Sequence, residues 1–405
     1  MRIGIFTDTY TPYISGVVTS VVTLKKALEK MGHEVYVVTI AVNGKHSYDE
    51  KEKVLRVTGI ESGLYKDVKI STIYPLYALK KMRKWNLDVI HSHTEGSIGT
   101  FSRIISKQYD IPLVHTYHTM YEDYMYLVTK GLFDKPAKKL LEYLTTFYCD
   151  KMVSELIVPT KKTYDLFKVK YGIKRDIHII PTGIDIKKFD KNKYINDVYK
   201  LKESIGLNKN DFILLLVSRI SSEKNIEFII KNHNVINKKY KNIKLVIVGD
   251  GPILEDLIKK NKNENIIFLG KVPWDQIPLY YQLGDIFVTA SKTETQGLTV
   301  NEALAASLPV VCIEDESYKY SVIDSYNGYI FKKKKEYIDK VISLYKDKEL
   351  YNSMSKQAED FSSNFSQERF ADSILEVYKK AIDKERISLF DKIKNIIKGV
   401  KKWIK

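Results

Sequence analysis

The strongest constraint in this 405-residue chain is a repeated alternation. Short runs that are apolar on both faces are followed by a loop and then by a helical or basic stretch. A strand apolar on both faces must be covered on both, and a parallel sheet flanked by helices does this. The first series of such runs covers residues 2–8, 33–40, 87–93, 111–115, 154–159 and 177–181, with an amphipathic helix predicted over 17–31. A second series covers 212–217, 244–249, 266–269, 285–290 and 309–313. Between them, residues 189–210 are rich in Lys, Asn and Asp, which marks a boundary. The length suits two domains of ordinary size. The pattern therefore predicts two α/β domains, 1–188 and 189–365, then a helix over 366–387 returning to the first domain and a tail over 388–405.

The only cysteines are Cys149 and Cys312, far apart in apolar surroundings. That argues against a disulfide framework or zinc cluster and suits a reducing cytoplasm. The N-terminal residues lack the apolar core of a secretion signal, and no apolar run reaches the roughly 18 to 20 residues needed to span a bilayer. A cytoplasmic protein, neither exported nor integral, is expected. The formal charge of +16 points to a polyanionic partner: nucleic acid, an anionic membrane surface or phosphorylated substrates.

Where the charge sits narrows the choice. Residues 66–85 place Lys80, Lys81, Arg83, Lys84 and Trp85 among Leu, Ile and Tyr, as a basic interfacial helix would. In the tail, Leu389, Phe390, Ile393, Ile396, Ile397, Val400, Trp403 and Ile404 recur at helical spacing among Lys398, Lys401, Lys402 and other lysines. Such a helix either lies on an anionic leaflet or packs on the protein's own surface. No groove-reading or base-stacking motif accompanies the charge, so no nucleic acid is expected.

Ligands of open parallel sheets sit beyond the carboxyl ends of the strands. Three candidate loops fall there. After the first strand, Ser15-Gly16-Val17 opens a helix, and Gly16 is either a close backbone contact for diphosphate or a plain turn glycine. After residue 217, Arg219 and Lys224 flank a strand-to-helix junction; they either hold a leaving diphosphate or are solvated charges. After residue 290 comes the most informative stretch, with Glu294 in a loop, Gly297 at a turn and Glu302 in the early turns of a helix. Two carboxylates there flank amides that suit a nucleotide sugar: the carboxylates accept from sugar hydroxyls, and the amides face phosphate. His118 follows another strand; on residue type alone a histidine there is more often structural than catalytic.

Glu294 and Glu302 stand at the E-x7-E spacing of the retaining GT-B glycosyltransferases of family 4, and the chain resembles that family over nearly its whole length. More narrowly, Ile-Ser-Gly-Val-Val-Thr-Ser-Val-Val at 14–22, His-Thr-Glu at 93–95, His-Thr-Tyr-His-Thr at 115–119, Tyr-Glu-Asp-Tyr at 121–124 and Val-Pro-Thr-Lys-Lys at 158–162 resemble bacterial diacylglycerol 3-glucosyltransferases. The resemblance implies two Rossmann-like domains facing a central cleft, with a C-terminal helix bridging both and an amphipathic tail. It implies retaining transfer of glucose from UDP-glucose to diacylglycerol at the inner face of the cell membrane, with no metal and no tightly bound cofactor. By residue, it implies that Glu302 binds ribose and Glu294 holds sugar hydroxyls. Gly297, Leu298 and Thr299 would contact sugar and phosphate; Arg219, Lys224 and Gly16 would hold the diphosphate; His118 would lie near the reacting carbon. Other readings of the same features are a different lipid or polysaccharide acceptor, a nucleotide-sugar epimerase, or a non-catalytic lipid- or nucleic-acid-binding protein.

Overall fold

The computed structural model describes residues 1–61, 69–119 and 134–403, and side chains within 1–61, 69–119 and 138–387. The chain divides into two compact units: Met1–Gly183 with Glu368–Lys405, and Ile184–Gln367.

In the first unit, strands β1 (Arg2–Phe6), β2 (Glu34–Ile40), β3 (Ser47–Asp49), β4 (Val54–Val57), β7 (Val89–Ser92), β8 (Leu113–Thr116), β9 (Glu155–Val158) and β10 (Ile177–Ile179) form one sheet. Its order is β10-β9-β8-β7-β1-β2-β4-β3, parallel except for β3, which pairs antiparallel with β4. Strands β5 (Gly59–Glu61) and β6 (Lys69–Ser71) make a separate antiparallel ribbon. These short additions escaped the sequence pattern because β3, β5 and β6 are three residues each and largely exposed.

Helices α1 (Gly16–Lys30), α2 (Leu76–Met82), α3 (Ser97–Tyr109), α4 (Asp134–Thr146) and α5 (Lys161–Asp165) connect the strands. The step from β1 to β2 runs one way along the sheet, whereas β4 to β7, β7 to β8 and β8 to β9 all run the other way. Right-handed crossovers therefore put α1 on one face and α2, α3 and α4 together on the opposite face.

The second unit holds β11 (Phe212–Val217), β12 (Ile243–Val248), β13 (Ile266–Gly270), β14 (Ile286–Thr289), β15 (Val310–Ile313) and β16 (Gly328–Phe331). All are parallel, in the order β13-β12-β11-β14-β15-β16. Around them run α6 (Ile195–Ser204), α7 (Ile226–Asn237), α8 (Leu254–Lys260), α9 (Ile277–Tyr281), α10 (Leu298–Ala305), α11 (Lys334–Lys346) and α12 (Lys348–Ser362). Residues such as Leu215, Val246, Phe287 and Val311 are fully buried in its core, as the both-face apolar pattern demands.

The chain returns to the first unit through α13 (Gln367–Trp403). Tyr378, Ile374 and Ala381 are buried, and Lys384 pairs with the buried Glu155. The segment expected as a separate tail continues this helix, since no proline interrupts it. Lys398, Lys401, Lys402 and Trp403 lie outside the residues whose side chains are described, as Lys66 and residues 121–124 lie outside the described residues altogether. No helix among the described residues is long and apolar enough to cross a membrane.

One expected membrane contact is overturned. Lys80, Lys81, Arg83 and Lys84 are exposed, but Trp85 is only 6% exposed and stacks on Tyr36 at 4.6 Å. Trp85 shares the face of Met82 and Ala78, both buried. Lying three and seven residues beyond them, the indole turns into the core rather than toward a bilayer.

Candidate active site

In the second unit the strand order reverses between β11 and β14, the point at which an open α/β sheet leaves a crevice for ligand. Both informative loops of this unit issue from these two strands. After β11, Arg219 is exposed, and Lys224 closes a single 3-10 turn. After β14, Glu294 reaches back, its Oε1 lying 2.5 Å from Lys224 Nζ. Both partners are mostly buried, so a cation and a carboxylate are fixed together at the switch point. The loop after β12 presses on the same place: a Cβ on Gly249 would fall 1.8 Å from the Ser218 carbonyl oxygen, and one on Gly251 would fall 2.2 Å from that of Ile220. These glycines went unnoticed in the sequence, although a Gly-Asp-Gly directly after a buried strand was a readable signal.

Gly297 adopts φ +76° and precedes α10. A Cβ there would also lie 2.7 Å from Tyr318 Cε1, and the Tyr318 hydroxyl donates to the Ser291 carbonyl at 3.0 Å. The turn thus requires glycine twice over, for backbone hand and for space. It sets Leu298 and Thr299 in the first turn of α10, where amides lack intrahelical acceptors and suit an anion.

Glu302 follows in the next turn. The Tyr281 hydroxyl donates to Glu302 Oε2 at 2.7 Å. Desolvation raises the Glu302 pKa to about 7, with the Tyr281 hydrogen bond opposing the rise. The carboxyl is therefore poised between its two forms near neutrality. Tyr281 was invisible to sequence reasoning because a tyrosine in an apolar helix reads as core.

In the first unit the order reverses between β1 and β7. Asp8, after β1, accepts from Ser97 Oγ and from the Ile98 amide, both at 2.9 Å. It also accepts from Thr94 Oγ1 at 2.5 Å, tying the two loops at the reversal. Gly16 is the first residue of α1, capped by Ser15, whose Oγ accepts from the Val18 amide.

Beside this lies a histidine cluster. His93 Nδ1 is 2.9 Å from His118 Nε2, and the two rings stack 5.2 Å apart. His91 bridges Tyr378 of α13 and Thr116, each at 2.7 Å. Burial lowers the His118 pKa to about 4 and holds His91 and His93 well below the usual range. All three rings are neutral at physiological pH. Among the described residues, His93 Nε2 is buried and has no hydrogen-bond partner. Since an unpaired buried N–H costs more than an unpaired lone pair, the proton of His93 belongs on Nδ1. His93 then donates to His118 Nε2, and His118 carries its own proton on Nδ1.

Comparison with known proteins matches the two halves of the chain to two family models. Residues 14–188 match the family described as Glycosyltransferase Family 4, and residues 197–361 match Glycosyl transferases group 1. The chain is 40% identical over 400 residues to alpha-monoglucosyldiacylglycerol synthase of Acholeplasma laidlawii, covering 96% of this chain and 99% of that protein. The chain belongs to glycosyltransferase family 4. This family 4 glycosyltransferase is also 37% identical over 316 residues to the alpha-monoglucosyldiacylglycerol synthase of Streptococcus pneumoniae, covering 77% of this chain and 70% of that one.

Among solved structures, Anabaena Alr3699/HepE in complex with UDP and glucose aligns at TM-score 0.71 and 18% identity over 94% of this chain and 99% of that chain. Sucrose-phosphate synthase of Thermosynechococcus elongatus aligns at TM-score 0.75 and 18% identity, covering 94% and 99%. At this identity the likeness is one of fold, and the fold is GT-B. The donor of a family 4 glycosyltransferase is a nucleotide sugar.

One set of donors in this glycosyltransferase resembles a metal centre. Ligand atoms of Glu95, His115 and Cys149 lie within 4.8 Å of one another. Their chemistry fits a charge-balanced core better. His115 Nε2 is 2.9 Å from Glu95 Oε1, burial pushes the Cys149 thiol well up, and the buried Arg103 guanidinium supplies positive charge to the group. The Arg103 guanidinium already supplies the positive charge that a metal ion would bring, and a second cation beside it would be repelled.

Proposed function

We propose that this enzyme transfers glucose from UDP-glucose to the free hydroxyl of 1,2-diacylglycerol with retention, giving alpha-monoglucosyldiacylglycerol. The observation that carries this reading is the 40% identity to a synthase of that product across 96% of the chain. In the reaction the acceptor oxygen bonds to the anomeric carbon, the bond from that carbon to the diphosphate breaks, and UDP leaves. The acceptor proton passes to a leaving phosphate oxygen, so no protein nucleophile is required, and the protein's work is positioning and charge stabilisation. Lys224 and Arg219 hold the diphosphate, with the amide of Gly16. Glu294 and the amides of Gly297, Leu298 and Thr299 hold sugar and phosphate. Glu302 accepts from the ribose hydroxyls, and neutral His118 hydrogen-bonds a donor-sugar hydroxyl near the reacting carbon. Lys80, Lys81, Arg83 and Lys84, with the exposed Ile73 and Leu76 beside them, draw the protein to the inner face of the membrane, where it binds peripherally.

The test is incubation with UDP-glucose or UDP-galactose and diacylglycerol in mixed micelles, with identification of the lipid product. A monoglucosylated α-linked diacylglycerol is expected. Turnover of the donor alone, or transfer only to another acceptor, would refute the reading.

The Glu302 carboxyl gives a second prediction. Ribose hydroxyls stabilise the carboxylate, so donor binding releases the proton that the empty site retains below about pH 7. UDP affinity is therefore expected to fall as pH drops below about 7, approaching tenfold per pH unit. Glu302→Gln, lacking the titration, should bind weakly but lose this component of the pH dependence. Calorimetric titration of both proteins at pH values on either side of neutrality checks it, and identical slopes would remove Glu302 from the ribose site.

A further inference from the structure

The exposed surface of α4, with the π turn Phe147–Lys151 that continues it, carries a feature that no membrane segment read from the sequence included. Leu140, Tyr143, Leu144 and Phe147 are 59%, 66%, 42% and 40% exposed. They stand at i, i+3, i+4 and i+7, so they form one continuous stripe, and the rings of Tyr143 and Phe147 stack at 6.3 Å. The opposite side of the same segment is anchored: Thr145 and Cys149 are buried, and the backbone carbonyl of Tyr148 accepts from the Arg103 guanidinium of α3. The helix is thus fixed with its apolar side outward, the reverse of what an amphipathic helix does in a soluble globule. Large contiguous apolar patches of this kind mark interaction sites.

Two observations select the partner. Lys139 and Lys151 are exposed beside the stripe, so the surface is apolar with a cationic border, as interfacial helices are. A second copy docked on the same stripe would bring like charges together, whereas an anionic leaflet is complementary to both parts. In addition, α2 and α4 flank α3 on the same face of the sheet. Tyr74, just before α2, packs edge-on against Phe101 of α3 and bonds Gln108, while Thr100 on the other side of α3 lies 3.3 Å from Tyr148 Oη. The basic residues of α2 and the stripe of α4 therefore belong to one surface.

We propose that α4 is a second membrane-docking element, which inserts Leu140, Tyr143, Leu144 and Phe147 into the interface of an anionic bilayer while α2 supplies cations beside it. The inference rests on the reading of a lipid acceptor. Its test is vesicle co-sedimentation of the full chain and of a variant with Leu140→Ser, Tyr143→Ser, Leu144→Ser and Phe147→Ser, using vesicles of phosphatidylglycerol and of phosphatidylcholine. Because the four side chains are exposed, the fold should survive, and circular dichroism checks this.

The expected result is at least about a tenfold loss of partitioning onto phosphatidylglycerol, with glucosyl transfer in detergent micelles retained. A single Phe147→Trp protein gives a direct readout should the quadruple variant fail to fold: its added fluorescence should be quenched by brominated acyl chains. Partitioning unchanged by the four substitutions, or an added indole signal that brominated lipid leaves untouched, would overturn the proposal. So would a dimer in sedimentation velocity that the substitutions dissociate while vesicle binding persists. Absence of lipid product from the parent protein in micelles would instead strike the acceptor reading, leaving the docking result to stand on the vesicle data.

Discussion

Replacing Lys224 with alanine is expected to lower kcat/KM for glucosyl transfer by about 10²- to 10³-fold. The size of the effect follows from where the charge sits. Lys224 is mostly buried and held by Glu294, so its ammonium is already oriented and partly desolvated before the donor arrives. A preorganised cation stabilises the charge that develops as the sugar–phosphate bond breaks, without reorganising at that moment. Arg219, exposed in the same loop, should give a smaller loss on replacement by alanine, because water and salt screen an exposed charge more than a buried one. Steady-state kinetics of both variants, with thermal unfolding to confirm the fold, checks the pair. A Lys224→Ala enzyme with near-normal kcat/KM would remove this residue from the diphosphate site.

Gly297→Val is expected to cost both stability and donor binding. A β-branched residue at φ +76° carries roughly 1–3 kcal/mol of backbone strain, and its Cβ would have to displace the buried Tyr318 ring, now only 2.7 Å from that position. A total near 3 kcal/mol corresponds to a fall in Tm of roughly 6–12 °C for a unit of this size. The same displacement moves the first amides of α10, so UDP affinity should fall by at least about tenfold. Differential scanning calorimetry and UDP titration together test it. Retention of wild-type Tm would mean the turn can open without strain.

Much of this was readable in advance. Strands β1, β2 and β11 were legible because burial on both faces leaves unbroken apolar runs, and the loops after them because ligand sites in such sheets follow strand ends. The strands β3, β5 and β6 were not, because a short strand at an edge or in an isolated ribbon buries little and leaves no apolar run behind. Trp85 was misread for a related reason: its basic neighbours dominate the local composition, whereas its face is shared with Met82 and Ala78, three and seven residues before it. The α4 stripe was equally hidden, since helical spacing of apolar residues says that a helix has an apolar side but not whether that side is covered.

By itself the sequence determined that the chain forms two parallel-sheet α/β units and that Glu294, Gly297 and Glu302 share one loop and helix, since these facts depend on local periodicity and spacing. Only the tertiary structure decided that β11 and β14 are neighbours at the reversal of strand order, which brings Lys224 to Glu294 across 70 residues of chain. It alone supplied Tyr281 to the Glu302 carboxyl and His93 to His118. Strand order and the partners of a buried polar group are set by packing among distant segments, and no single stretch of sequence contains that information.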